Sequence, residues 1–133
     1  VTLQKIISDV VSADPLETIT EISPVLKELF ETIGRENVLG VSGVFFEELD
    51  QFIQQCNKGI FSKDNYALAE AAHKIKGAAA MLGLDLLETP FAQLENDARE
   101  NNVRDLTIRI QSLEGFAKQS EAMFSHYVSL SVK

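Results

Sequence analysis

Ala72-His73-Lys74-Ile75-Lys76-Gly77-Ala78 sets a histidine and a glycine one helical turn apart among alanines. Ala71, Ala79 and Ala80 extend the run on both sides. Alanine is the strongest helix former, so helix is the local state expected here. A glycine inside such a helix costs about 1 kcal/mol relative to alanine. That loss calls for a use close to His73.

Turning the helix about 100° per residue makes the faces explicit. Leu68, Ala71, Ile75, Ala78 and Leu82 fall within roughly 40° of the side opposite His73, with Ala72 and Ala79 flanking them. This is the expected core face. Ala69, Glu70, Lys76, Gly77 and Ala80 share the side of His73, and most of them are small. The imidazole is therefore expected to stand clear on a nearly bare surface that a large partner can approach.

The pattern around this helix is helical almost throughout. Thr2 to Val11 forms a candidate short first helix, broken at Ser12-Ala13-Asp14-Pro15, because proline disfavours helix at the residue before it. A second short helix is expected from about Ser23 to Ile33, with Pro24 at its first position and Gly34 past its end. The next, about Arg35 to Lys58, carries Val38, Val41, Phe45, Leu49, Phe52 and Cys56 at spacings of three and four, although Gly40 and Gly43 weaken its first part. Ser62-Lys63-Asp64 offers N-caps for the His73 helix, which should stop at Gly83.

Leu84 to about Asn101 follows, with Leu87, Phe91, Leu94 and Ala98 on one face. Pro90 interrupts it, by a kink or by a restart capped by Thr89. The last helix, about Val103 to Leu130, shows Leu106, Ile110, Leu113, Ala117, Phe124 and Tyr127. These patterns predict an all-α fold, an up-down four-helix bundle with one or two short extra N-terminal helices. Residues 1–22 are expected to form a linker or short helix and 23–133 the bundle.

At 133 residues with 45% hydrophobic content, the chain is long enough and apolar enough to bury a core. A net charge of -8 argues against nucleic acid as a partner. No basic amphipathic stretch suggests an anionic membrane surface. No run approaches the ~18 apolar residues of a membrane span, and no signal-peptide pattern is present. The start at Val1 instead of Met points to a piece of a longer protein. The single Cys56 fits a reducing, cytoplasmic setting and, within an apolar helical pattern, a buried inert thiol.

A solvent-facing imidazole titrates near pH ~6.5, so at neutral pH a ring nitrogen is available as a nucleophile toward phosphorus. Lys76, one turn along, is placed to offset the charge of an incoming phosphoryl group. Gly77 removes the side chain that would crowd it, and Lys74 adds positive potential about 100° away. The plain alternative is a polar surface histidine, with Gly77 serving close helix contact. The helical wheel weighs against that, since Gly77 lies on the His73 side.

His73-Lys74-Ile75-Lys76-Gly77-Ala78-Ala79, followed by Leu82-Gly83-Leu84, resembles the signature of histidine-containing phosphotransfer (HPt) domains. The pattern matched is His-x-apolar-Lys-Gly, with an apolar-Gly pair about ten residues on, and the resemblance covers roughly residues 23–127. Within the family it most resembles the C-terminal module of tripartite hybrid sensor kinases, such as those sensing anaerobic respiratory conditions. The resemblance implies a phosphorelay intermediate, in which a receiver-domain aspartate passes its phosphoryl group to His73 and a second receiver's aspartate takes it. It implies no kinase activity, no nucleotide and no cofactor of its own, with Mg²⁺ on the receiver only. The partners implied are receiver domains, and a monomer is expected. The module would be cytoplasmic, its parent chain anchored in the inner membrane. Family members often place a Gln or Glu on the following helix near the histidine; counting along the motif puts Glu95 there, with Gln93 close by. Ala80 belongs to the same low surface.

Two other classes compete with this one. Glu70-Ala71-Ala72-His73 has the Glu-x-x-His spacing of di-iron bundles, but such sites need two motifs, and Met123 stands three residues before His126. A bundle used only for protein docking would have no need of an intact His73. No Walker loop and no nucleophile elbow are present.

Overall fold

The computed structural model describes residues 23–131. The first helix expected over 2–11, the break at 12–15 and the segment 1–22 as a whole lie outside the described residues. Five helices follow in order: α1 (Pro24–Ile33), α2 (Arg35–Asn57), α3 (Asn65–Met81), α4 (Asp85–Arg99) and α5 (Leu106–Ser131). No strand occurs among the described residues. The fold is an all-α helical bundle.

Local chemistry accounts for the boundaries. Pro24 opens α1, and Gly34 at φ +85° closes it, its N–H donating to the Phe30 carbonyl. Of the cap candidates in Ser62-Lys63-Asp64, Asp64 takes the role and accepts from the Ala67 N–H at 3.0 Å. At the end of α3, Leu84 N–H donates to Ala79 O at 2.9 Å and Gly83 N–H to Ala80 O at 3.1 Å, the paired bonds of a Schellman stop. Gly83, at φ +70°, supplies the left-handed residue this stop requires. Asn101, at φ 52°, does the same after α4. Asp105, also left-handed at φ 51°, delays α5 to Leu106, three residues later than Val103.

The α4 helix is continuous through Pro90, so the restart at Thr89 does not occur. Gly40 and Gly43 do not interrupt α2 either. Their weak propensity is overridden by the buried side chains Val38, Phe45, Leu49 and Phe52 along the same helix.

The core runs through all five helices and includes Leu26, Leu49, Leu68, Leu87, Phe91 and Ile110. Phe52 meets Phe91 at 5.4 Å and Phe61 at 5.7 Å between ring centroids, tying α2 to α4 and to the loop before α3. Such pairs add about 0.5–1.5 kcal/mol beyond burial. Two assignments of the apolar pattern shift. Val41 is 41% exposed, and Ser42 is buried in its place, its hydroxyl donating to the Leu39 carbonyl at 3.0 Å. On α5, Leu106, Ala117 and Tyr127 are half-buried, while Ser120 is buried.

The most extensive helix pairing is α3 with α4, and it positions the site. Ala69, Ala72 and Ala79 are fully buried, whereas Ala71 and Ala78 are half-buried. The buried face of α3 is thus rotated from the expected one, toward the flank that carries Ala69. Methyl side chains along this flank allow α4 to approach closely. Ala69, expected beside His73 on the open surface, belongs to the core instead.

Candidate functional site

His73 sits in the middle of α3 with its side chain 58% exposed. Its ring does not stand clear of its neighbours, as a wheel of α3 alone predicts. Nδ1 lies 3.0 Å from Glu95 Oε2 and 3.2 Å from Oε1, across the α3–α4 interface. An ionised carboxylate can only accept, so Nδ1 is the protonated nitrogen and donates. In the neutral imidazole this selects the Nδ1–H tautomer, which carries its lone pair on Nε2.

Glu95 is the hub of this cluster, its side chain 10% exposed. Lys76 Nζ donates to Oε1 at 2.8 Å. Arg99, one turn along α4, donates to Oε2 through Nε at 3.0 Å and through Nη2 at 2.8 Å. The same Nη2 reaches Glu70 Oε1 at 3.1 Å, returning the network to α3. The Glu95 carboxyl is held well below the usual carboxylate range, at about 2, by Lys76 first and Arg99 next; burial opposes them and His73 adds to them. Arg99 is pushed further toward its charged form, by Glu95 and then by Glu70.

Gly77 and Ala80 are exposed on the same side of α3 as His73, and Lys74, about 100° around the helix, is exposed as well. A Cβ built on Gly77 would meet nothing within 4 Å. Nothing among the described residues therefore asks for a glycine there, and the bare helix surface faces outward beside the imidazole. Gln93 is exposed and takes no part in the network at His73.

The site thus joins His73, Lys76 and Glu95, with Gly77, Ala80 and Lys74 at its edge. Two members escaped the sequence reading. Arg99 was signalled only by its i+4 spacing from Glu95, and Glu70 was weighed only as a metal ligand. Its carboxylate pairs with Arg99, and no group of three or more His, Cys, Asp or Glu able to hold a metal occurs among the described residues. Cys56 is buried, and burial pushes its thiol up to about 12. No helix among the described residues is long and apolar enough to cross a membrane.

Chemically, the arrangement presents an exposed imidazole oriented through its Nδ1, an adjacent ammonium and open approach. Residues 41–123 match the family described as Hpt domain. Among curated proteins, the chain is similar to the phosphorelay protein LuxU of Vibrio cholerae serotype O1, at 25% identity over 100 residues, spanning 75% of this chain and 88% of that relative. No solved structure matches it significantly.

Proposed function

The chain belongs to the Hpt domain family, and from that premise we propose that it relays a phosphoryl group between two receiver domains through His73. The observation that carries this reading is the Nδ1–Glu95 hydrogen bond, which reserves Nε2 of an exposed ring for attack. The Nε2 lone pair forms a bond to the phosphorus of an aspartyl phosphate. The P–O bond to the aspartate breaks, and its electron pair leaves with the restored carboxylate. The Nδ1 proton stays on the ring, held on Glu95. Transfer onward to a second aspartate is the reverse of this step, so the domain needs no nucleotide and acts as a carrier, not a kinase.

Lys76 stabilises the added negative charge, and Gly77 with Ala80 lets the partner's acidic pocket close over the ring. The Mg²⁺ for transfer is the receiver's, and the domain works as a monomer. We place it in the cytoplasm as a module of a hybrid sensor kinase whose parent chain is anchored in the inner membrane. A use in docking alone would leave the tautomer of His73 without purpose.

The test is phosphotransfer from a panel of phosphorylated receivers, with acid lability identifying phosphohistidine. His73→Gln should fold and accept no label. Labelling of that variant would overturn the assignment.

A further inference from the structure

Two cations converge on Glu95 in this site, and one of them, Arg99, also meets the more exposed Glu70. Lys76 makes one bond to Glu95, a single ammonium contact at the end of a flexible stem. Arg99 makes two, through Nε and Nη2 of a planar guanidinium whose Nη2 also donates to Glu70. The arginine is the pinned partner and the lysine the mobile one.

We propose that Arg99 is a positioning residue that keeps Glu95 compensated, so that Lys76 can move its ammonium from Glu95 to the phosphoryl group on His73. This rests on the phosphorelay reading. Phosphorylation at Nε2 places negative charge one helical turn from Lys76. If Lys76 were the only counter-ion of Glu95, its departure would strand a carboxylate that is 10% exposed. The nearby acceptor for the Nδ1 proton would be unsettled at the moment of transfer. With Arg99 in place, Glu95 keeps two charge-assisted bonds and still holds the ring. Glu70, Glu95, Lys76 and Arg99 sum to zero charge in the resting cluster. When Lys76 changes partner, the buried Glu95 keeps both Arg99 bonds, and the excess negative charge falls on Glu70, whose side chain is 50% exposed to water. The step needs no co-reactant beyond the phosphoryl donor, since the N–P bond formed replaces the donor's P–O bond.

The test is single-turnover acceptance from one phosphorylated receiver by the wild type, Lys76→Met, Arg99→Gln, Arg99→Lys and the Arg99→Gln/Lys76→Met double variant. Lys76→Met should slow acceptance roughly tenfold, the worth of one charge-assisted hydrogen bond. Arg99→Gln should slow it by a similar factor because Lys76 is then retained by Glu95. Adding Lys76→Met to Arg99→Gln should cost less than about threefold more, and Arg99→Lys should recover part of the rate. ¹⁵N spectra of the unphosphorylated Arg99→Gln protein should still show the Nδ1–H tautomer of His73, separating loss of the lysine from loss of the ring's orientation. Arg99 is 43% exposed, so its variants are expected to fold, and melting curves check this. A wild-type rate in Arg99→Gln, or a full further tenfold from Lys76→Met in that background, overturns the inference alone. A wild type that takes no label from any receiver overturns the phosphorelay reading, and this inference with it.

Discussion

His73 Nδ1 and Glu95 Oε2 lie 3.0 Å apart, one on each side of the turn at Gly83. Two helices that adjoin in sequence thus share a hydrogen bond at the reactive ring. The α3–α4 packing that brings them together depends on the buried alanine flank of α3 and on a single left-handed residue between the helices. The stability of the hairpin and the chemistry of the imidazole are therefore linked.

The link can be tested at Glu95. Glutamine keeps a carbonyl acceptor for the Nδ1 proton, whereas alanine removes it. Glu95→Gln should retain the Nδ1–H tautomer and accept phosphoryl groups within several-fold of the wild-type rate. Glu95→Ala should show mixed tautomers and a rate lower by roughly tenfold. The cost in stability of Glu95→Ala should be modest, about 1 kcal/mol, because Lys76 and Arg99 can both turn to water. ¹⁵N histidine shifts and urea unfolding measure the two effects separately.

Glu95 also defines an acid response. Its carboxyl lies at about 2 in the folded chain against an ordinary 4.5. A depressed carboxylate contributes stability that is complete above its unfolded value and disappears as pH falls through the folded one. The stability difference between wild type and Glu95→Gln should hence be flat above about pH 4.5 and shrink steadily toward about pH 2. Urea titrations of both proteins at pH steps across that window check the sign. A difference that grows on acidification contradicts it.

Much of the site was legible because its chemistry sits within one helix. His73, Lys76 and Gly77 are related by helical spacing, and spacing is readable from sequence. The exact orientation of α3 was not, because a wheel that takes the side opposite His73 as the core centres on Ala71 and Ala78 and leaves Ala69 on the open side. Ala72 and Ala79, read as flanking the core face, are buried, but the burial of Ala69 follows from how closely α4 approaches, and only the packed pair reveals that. Arg99 was missed for a related reason. Its use depends on which face of α4 meets α3, and its own neighbourhood of Asn96, Asp97 and Glu100 reads as a solvated surface. Pro90 misled in the opposite direction, since the burial of Phe91 and Leu94 keeps α4 intact through it.

Cys56 offers a probe of the core, independent of the site. Its thiol is pushed up to about 12 by burial, so the thiolate fraction near neutral pH is very small. Ellman's reagent at pH 8 should react with the native domain at least ~10³-fold more slowly than with the urea-unfolded chain, where a thiol titrates near ~8.5. Lys76→Met and Arg99→Gln, which act at the surface, should leave that protection in place. Phe91→Ala should weaken it, because the large buried ring that meets Phe52 is lost, at a cost of about 3–5 kcal/mol.

Two glycines of this hairpin should respond in opposite ways to the same substitution. Gly83 adopts φ +70°, and a Cβ there would lie 2.8 Å from Ser23 Oγ and 3.4 Å from Val25 Cβ, at the start of α1. Gly83→Ala therefore combines a left-handed alanine, about 1–2 kcal/mol, with displacement of the α1 entry. It should lower the unfolding free energy by at least that amount. Gly77 is helical with open space beside it, so Gly77→Ala should raise stability by up to about 1 kcal/mol. Larger side chains at 77 should keep the helix intact while closing the approach to His73. Gly77→Leu is expected to retain full helix content by circular dichroism and to lose transfer from a phosphorylated receiver. If Gly77→Leu exchanges phosphoryl groups at the wild-type rate, the bare surface beside His73 is not what admits the partner, and the role given to Gly77 fails.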